Sequence, residues 1–500
     1  MGMNDASPTD MNLKNLDQAM SAATRYQDWY DLAQQHDAYS GANVWRETHR
    51  TTLYDYVEIQ TRRDKLKQFL SEGADRELLY ALNEGVHGNM GGMGRPILYT
   101  RARSGTKHLI DEYVSLICES LVRISEAPDA DISYLEKLDF FRRASHCYGR
   151  SALLLSGGAG LIYFHHGVVQ ELVNHDLVPN VLSGASAGAV VSGQLGLYTN
   201  DELKSREYFS SKRYEGFAEN SLLDSVLGRV TEKEAKLHKE QALDEIVPMN
   251  LTFQEAYEKT GRYINVSISP AEKHQNSRLM NAITSPNVYI RSAISASCSI
   301  PGMIPAERLY AKGYDGKPRP YLASRRWVDG SVSGDLPARR LSRLYGVNHF
   351  IVSLINPVVV PFVRDIKSRQ RKGFRNALSV SGLRMACEVL DYAEKMLERG
   401  GRIGQLTGAQ LAYVKEMLDQ NYLGDINILL EKRDFKWRHT LFEFKDGEEE
   451  GLIQAGRRNV YPKIAMIKNA AMISNTLDSI LEELTQEALP QTTVKHHLYS

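Results

Sequence analysis

Hydrophobic and polar positions change rhythm twice along the chain. From Ala22 to Cys147, apolar residues recur three and four positions apart, as in Leu66, Phe69 and Leu70, then Leu78, Leu79 and Leu82. That spacing lines one face of a helix, and Tyr113 to Ile124 repeats it. Gly88-Asn-Met-Gly-Gly-Met-Gly-Arg-Pro96 interrupts the run, because so many glycines and a proline break a helix. The first 20 or so residues are polar and are expected to fray. At Ser151 short apolar runs begin, each closed by turn residues: Ala152–Leu155, the segment after Pro179, Tyr263–Ile268, Val288–Ile290, Trp327–Val328 and Phe350–Ile355. A helical pattern, Tyr163–Leu172, separates the first two. Buried strands alternating with helices predict an α/β core with a mainly parallel central sheet. After Asn356 the helical rhythm returns, at 373–397, 409–418 and 465–484. The expected division is therefore a helical domain at 1–145, an α/β catalytic domain at 146–355 and a helical extension at 356–500.

Bulk properties narrow the function. Lys+Arg and Asp+Glu both number 61, so the net charge is zero and no field draws the chain to nucleic acid. Cys118, Cys147, Cys298 and Cys387 are scattered, a pattern of reduced thiols rather than of disulfides or a zinc site. No apolar run is long enough to span a membrane. The start lacks a signal-peptide pattern, and Ala6 stands where myristoylation prefers Ser or Thr. A cytoplasmic protein is expected, touching lipid only peripherally at a membrane or lipid-droplet surface.

The chemistry concentrates in three short segments. Gly184-Ala-Ser-Ala-Gly188 follows an apolar run and opens into a helical pattern. A serine on a tight strand-to-helix turn is a hydroxyl held out for attack, and Gly184 and Gly188 let the chain make that turn. Serine needs a base. Asp329, with Gly330 turning the chain behind it, ends a short strand and becomes a candidate, although Asp-Gly alone is usually only a turn. Ser156-Gly-Gly-Ala-Gly160 lies between strand and helix, where backbone N–H groups can hold an anion. It does not match the dinucleotide fingerprint, so an oxyanion hole is the better reading beside an elbow serine.

Together these segments resemble those of the patatin-like phospholipases, in which a glycine-rich loop, a G-x-S-x-G elbow and an Asp-Gly element follow in this order. Leu79–Gly94, Trp45–Arg50, Thr252–Arg262, Ala296–Gly302, Asn356-Pro357 and Tyr461–Ile467 are similar to the triacylglycerol-lipase branch, which adds an N-terminal helical domain. The resemblance spans roughly residues 25 to 480. It implies that Ser186 is the nucleophile, Asp329 the base without a histidine, and Gly157, Gly158 and Ala159 the oxyanion hole. It also implies a lipid substrate and neither metal nor cofactor. Ala159 and Ile162 stand where the family places its second and third loop glycines, and Ser331 where Gly or Ala is commoner.

Two other readings compete. An α/β-hydrolase triad would draw its histidine from His349, His439, His496 or His497, all downstream of Asp329. His165 and His166 read as helix residues that support packing. The altered glycine loop also suits a catalytically weak or inactive lipid-surface scaffold. Six basic residues between Arg364 and Arg375, beside Val358–Phe362, suit an anionic lipid surface as well as a solvated helix end.

Overall fold

The computed structural model describes residues 8–205, 231–272, 276–300, 304–357, 360 and 424–488. The helices expected at 373–397 and 409–418, the basic cluster 364–375, Cys387, His496 and His497 lie outside them.

The polar N-terminal stretch is helical from Pro8 rather than frayed: in α1 (Pro8–Ala22), Leu13, Leu16 and Met20 recur on one face, and Met20 is buried. Six helices follow: α2 (Tyr26–Ser40), α3 (Ala42–Glu47), α4 (Tyr56–Glu72), α5 (Asp75–Gly85), α6 (His108–Glu126) and α7 (Tyr134–Tyr148). Helix α6 buries Leu109, Ile110, Tyr113, Val114, Ile117, Leu121 and Ile124 along a stripe three and four residues apart. Asp75, at the start of α5, is held by both Nε and Nη2 of Arg123, at 2.8 and 3.0 Å.

The next elements build the sheet. β1 (Arg150–Leu155), α8 (Ile162–Asn174) and β2 (Val181–Gly184) make a βαβ unit with parallel strands, and α9 (Ala187–Leu197) leaves the end of β2. Then come α10 (Asn200–Ser205), α11 (Glu232–Ile246), α12 (Phe253–Thr260), β3 (Tyr263–Pro270) and β4 (Arg278–Met280). Helix α13 (Ile290–Ser297), the hairpin β5 (Leu309–Lys312)–β6 (Pro318–Tyr321), β7 (Trp327–Asp329), α14 (Ser331–Gly334), α15 (Ala338–Tyr345) and β8 (Val347–Leu354) follow. β9 (Ile426–Leu429), α16 (Trp437–Thr440), α17 (Glu448–Val460) and α18 (Ile464–Ala488) complete the described chain. The main sheet runs β4-β3-β2-β1-β8-β9, with β7 also on β3. Its β1–β2, β2–β3 and β8–β9 pairs are parallel, while β4 and β7 run antiparallel to β3.

Val288-Tyr289-Ile290 is not a strand. Val288 and Tyr289 make isolated bridges, and Ile290 already begins α13. Three β-branched or aromatic residues give no periodicity with which to separate a strand from a helix start.

The chain packs as two compact units. One gathers Leu32–Arg150 with the described parts of Met1–Asp17 and Ala465–Ser500; the other holds Gln18–Asp31 with Ser151–Ile464. The stretch after 356 is thus shared between them. Asp478 of α18 receives a two-pronged bond from Arg150 at 2.9 Å, and Asn469 donates to Asp111 at 2.8 Å, tying α18 to the first unit. A contact network at such sequence separation leaves no trace in local pattern.

In the second unit, α8 is buried nearly all round, which an apolar helix achieves only between two layers. Its outer partner is α17, and they cross at Gly167 and Gly456. A Cβ on Gly456 would stand 2.2 Å from the Phe164 carbonyl oxygen, and one on Gly167 1.8 Å from that of Ile453. Gly456→Ala is expected to destabilise this unit by about 1–3 kcal/mol in urea unfolding; an unchanged midpoint would show that the helices separate freely.

Candidate active site

Ser186 sits between β2 and α9 with φ 52° and ψ −120°, a conformation that side chains rarely adopt. Close backbone contacts enforce it. A Cβ on Gly184 would lie 2.1 Å from the Gly188 carbonyl oxygen, and one on Gly188 2.0 Å from that of Leu155. Only glycine fits at either place. The Ser186 N–H donates to Ser297 Oγ at 2.9 Å, and that hydroxyl donates onward to the Ser267 carbonyl of β3 at 2.8 Å. Ser297 was not singled out in the sequence, yet it braces the elbow against the sheet.

Asp329 ends β7. Its backbone N–H donates to the Ser299 carbonyl at 3.0 Å, and Gly330 passes so close to Ser267 that a Cβ there would stand 2.0 Å from its oxygen. The Asp329 side chain is buried; its Oδ1 accepts from the Ser331 N–H at 2.8 Å, and the hydroxyls of Ser331 and Ser186 lie close enough to favour the charged form. Burial outweighs these contacts and pushes the carboxyl up to about 6. Burial also pushes the nearby Cys298 thiol up to about 12, and the Asp329 charge adds to it. Ser331, in sequence a mild departure, supplies both an N–H and a hydroxyl to the carboxylate.

The glycine loop passes beside this pair. A Cβ on Gly157 would lie 3.0 Å from Ser331 Cβ and 3.4 Å from Ser186 Cβ. Gly158 rests on Ile355, and Gly160 packs on the His439 carbonyl of α16. Ala159 has φ 46°, the left-handed region that glycine favours, and alanine occupies it at a cost of about 1 kcal/mol. Ile162 is buried in the first turn of α8. The three expected oxyanion donors are not equivalent. The Gly157 N–H already donates to Asp335 Oδ1 at 2.8 Å. The N–H groups of Gly158 and Ala159 have no such acceptor among the described residues.

The two triad candidates among the described residues, His349 and His439, are engaged elsewhere. His349 Nδ1 pairs with Ser151 Oγ at 3.1 Å, and His439 Nε2 with Glu448 at 3.0 Å. His165 is buried among protein groups, with Nε2 on the Ser156 carbonyl at 2.9 Å and Nδ1 on Ser353 Oγ at 2.8 Å. Burial lowers its pKa to about 4, so the ring is neutral at pH 7. No group of His, Cys, Asp and Glu among the described residues could hold a metal ion.

The patatin-like phospholipase profile matches residues 153–341, and a domain of unknown function, DUF3336, matches 8–146. Triacylglycerol lipase SDP1L of Arabidopsis thaliana is 32% identical over 93% of this chain and 58% of its own length. Triacylglycerol lipase 4 of Saccharomyces cerevisiae is 30% identical over 95% of this chain and 53% of its own. A patatin-like phospholipase domain-containing protein of Neosartorya fischeri is 30% identical over 94% of this chain and 69% of its own. The chain thus spans little more than half the length of the two lipases.

The raised Asp329 carboxyl has a stability consequence. The folded chain holds that proton up to about pH 6, whereas an ordinary aspartate releases it near 3.8. Ionising the buried group therefore costs stability as pH rises from about 4 to 6, and about 3 kcal/mol is missing above that window. Asp329→Asn is expected to resist urea better than wild type at pH 8, with the gap closing below pH 4. Equal stability at both pH values would mean that water reaches the carboxylate.

Proposed function

Because the chain belongs to the patatin-like phospholipase family, in the triacylglycerol-lipase branch with the N-terminal helical domain, we propose that it is a lipid carboxylic-ester hydrolase. The observation that carries this is the buried Asp329 carboxylate with the Ser186 hydroxyl beside it, close enough to favour its charged form. Ser186 Oγ attacks the ester carbonyl carbon while its proton passes to Asp329. The carbonyl oxygen takes up the negative charge, and the N–H groups of Gly158 and Ala159 hold it. The tetrahedral intermediate expels the alcohol, which leaves with the proton from Asp329. Water, deprotonated by Asp329, then attacks the acyl-enzyme, and the departing Ser186 Oγ takes that proton back from Asp329 as the fatty acid is released.

An aspartate is a weak base in water, and burial corrects for this. A carboxylate with its pKa near 6 is ionised at pH 7 to 8, yet far more basic than one near 4. The substrate proposed is a long-chain acylglycerol or phospholipid, since two relatives carry the name triacylglycerol lipase and the family profile that of a phospholipase. Such lipids are aggregated, so the enzyme meets them at a membrane or lipid-droplet surface. No helix among the described residues is long and apolar enough to cross a membrane, which supports peripheral contact.

A fluorophosphonate probe tests the nucleophile. Labelling of the wild type and none of Ser186→Ala is expected, with ester hydrolysis falling on the order of a thousandfold or more in the variant. An unlabelled wild type at every pH would instead support the lipid-surface scaffold. The pH profile tests the base. With Asp329 needed as carboxylate, kcat/KM should fall about tenfold per pH unit below about pH 6 and level off above it. A single acid limb near pH 4 would remove Asp329 from that role. Products from triacylglycerol, monoacylglycerol, lysophospholipid and phospholipid then rank the lipid classes.

A further inference from the structure

The Ser156–Gly157 peptide, which opens the glycine loop, is gripped from both sides. Its N–H donates to Asp335 Oδ1 at 2.8 Å. Its carbonyl accepts from His165, whose Nε2 lies 2.9 Å away. A carbonyl only accepts, so Nε2 carries the hydrogen; the neutral ring then leaves Nδ1 to accept from the Ser353 hydroxyl, 2.8 Å away on β8. Asp335 is itself fixed: it is fully buried, directly follows α14, and receives Asn356 Nδ2 on Oδ2 at 3.2 Å. The same loop residue is pinned a third way, because Ile355 N–H donates to Ser156 Oγ at 2.8 Å.

The Asp335 carboxylate is buried, and it takes both the Gly157 N–H and the Asn356 amide. What it fixes is direction. Peptide planes are rigid, so setting the 156–157 plane fixes where the next two planes begin, and those carry the N–H groups of Gly158 and Ala159. Ala159 at φ 46° needs such support, because an alanine left to itself would relax out of the left-handed region. Resting on the hydrolase reading above, we propose that Asp335 is a positioning residue. Its carboxylate, opposed by His165 across the first peptide of the loop, aims the Gly158 and Ala159 N–H groups at the developing oxyanion. Asp335 touches no substrate and exchanges no proton.

The test is steady-state hydrolysis of p-nitrophenyl butyrate by Asp335→Ala and Asp335→Asn, beside wild type and Ser186→Ala. Loss of one oxyanion donor costs roughly 100- to 1,000-fold, and a misdirected loop somewhat less. Asp335→Ala is therefore expected to lower kcat roughly 10- to 100-fold with KM within about twofold, and to slow fluorophosphonate labelling in parallel. Asp335→Asn keeps an oxygen for the Gly157 N–H and should recover most of that loss. A kcat for folded Asp335→Ala within about threefold of wild type overturns the proposal, as does Asp335→Asn losing as much as alanine. Should Asp335→Ala not fold, Asn356→Ala reads the same geometry: a kcat loss of roughly 3- to 10-fold at constant KM supports the clamp, and wild-type kcat overturns it. A wild type that neither hydrolyses the ester nor takes the probe sinks the hydrolase reading itself, which is a separate failure.

Discussion

Around Ser186, backbone meets backbone at separations that admit no Cβ. Gly184 lies against Gly188, Gly188 against Leu155 at the end of β1, and Gly330 against Ser267 of β3. These three contacts draw β1, β2, β3 and β7 together at one edge of the sheet. They hold a serine in a conformation it would otherwise leave, at a cost of about 1–3 kcal/mol that the surrounding elements must offset. Ser297 completes the support, since its hydroxyl spans from the elbow N–H to the β3 carbonyl. With the serine so fixed, the buried carboxylate at the end of β7 lies beside its hydroxyl.

The dryness that makes Asp329 basic also makes it expensive. Its carboxyl is raised to about 6 although three neighbouring donors favour the charged form. Two of those come from Ser331, so this residue moderates the shift that burial produces. A glycine at 331 would offer its N–H alone, leaving the carboxylate one hydroxyl poorer. The strength of the base is thus set by a balance between an apolar wall and a single neighbouring side chain.

How much of this was legible depends on the reach of each interaction. The elbow and the Asp-Gly element carry their signal within a few residues: Gly184 and Gly188 bracket Ser186, and Gly330 follows Asp329. The strands at 150–155, 263–270 and 347–354 show as apolar runs, close to where pattern placed them. Ser297, Asp335 and Asn356 were not legible as supports, and His165 was legible only as a packing residue of its helix. Ser297 meets Ser186 across 111 positions and Asp335 meets Gly157 across 178, and a lone Ser or Asp has no local rule that points so far. The bond from Gly157 to Asp335 was hidden for the same reason. Nothing near Gly157 in sequence tells that its N–H is already engaged.

The crossing of α8 and α17 bears on what can be cut away. The segment recognised as patatin-like ends at 341, before β8 and β9 and more than a hundred residues before Gly456. A polypeptide stopped at that border would leave β1 with a bare edge on one side and strip the outer cover from an almost wholly buried helix. Exposed strand edges and uncovered apolar faces invite self-association. The evolutionary module is therefore smaller than the physical one, and the distal part of the chain belongs to the foundation of the catalytic sheet rather than to its trimmings.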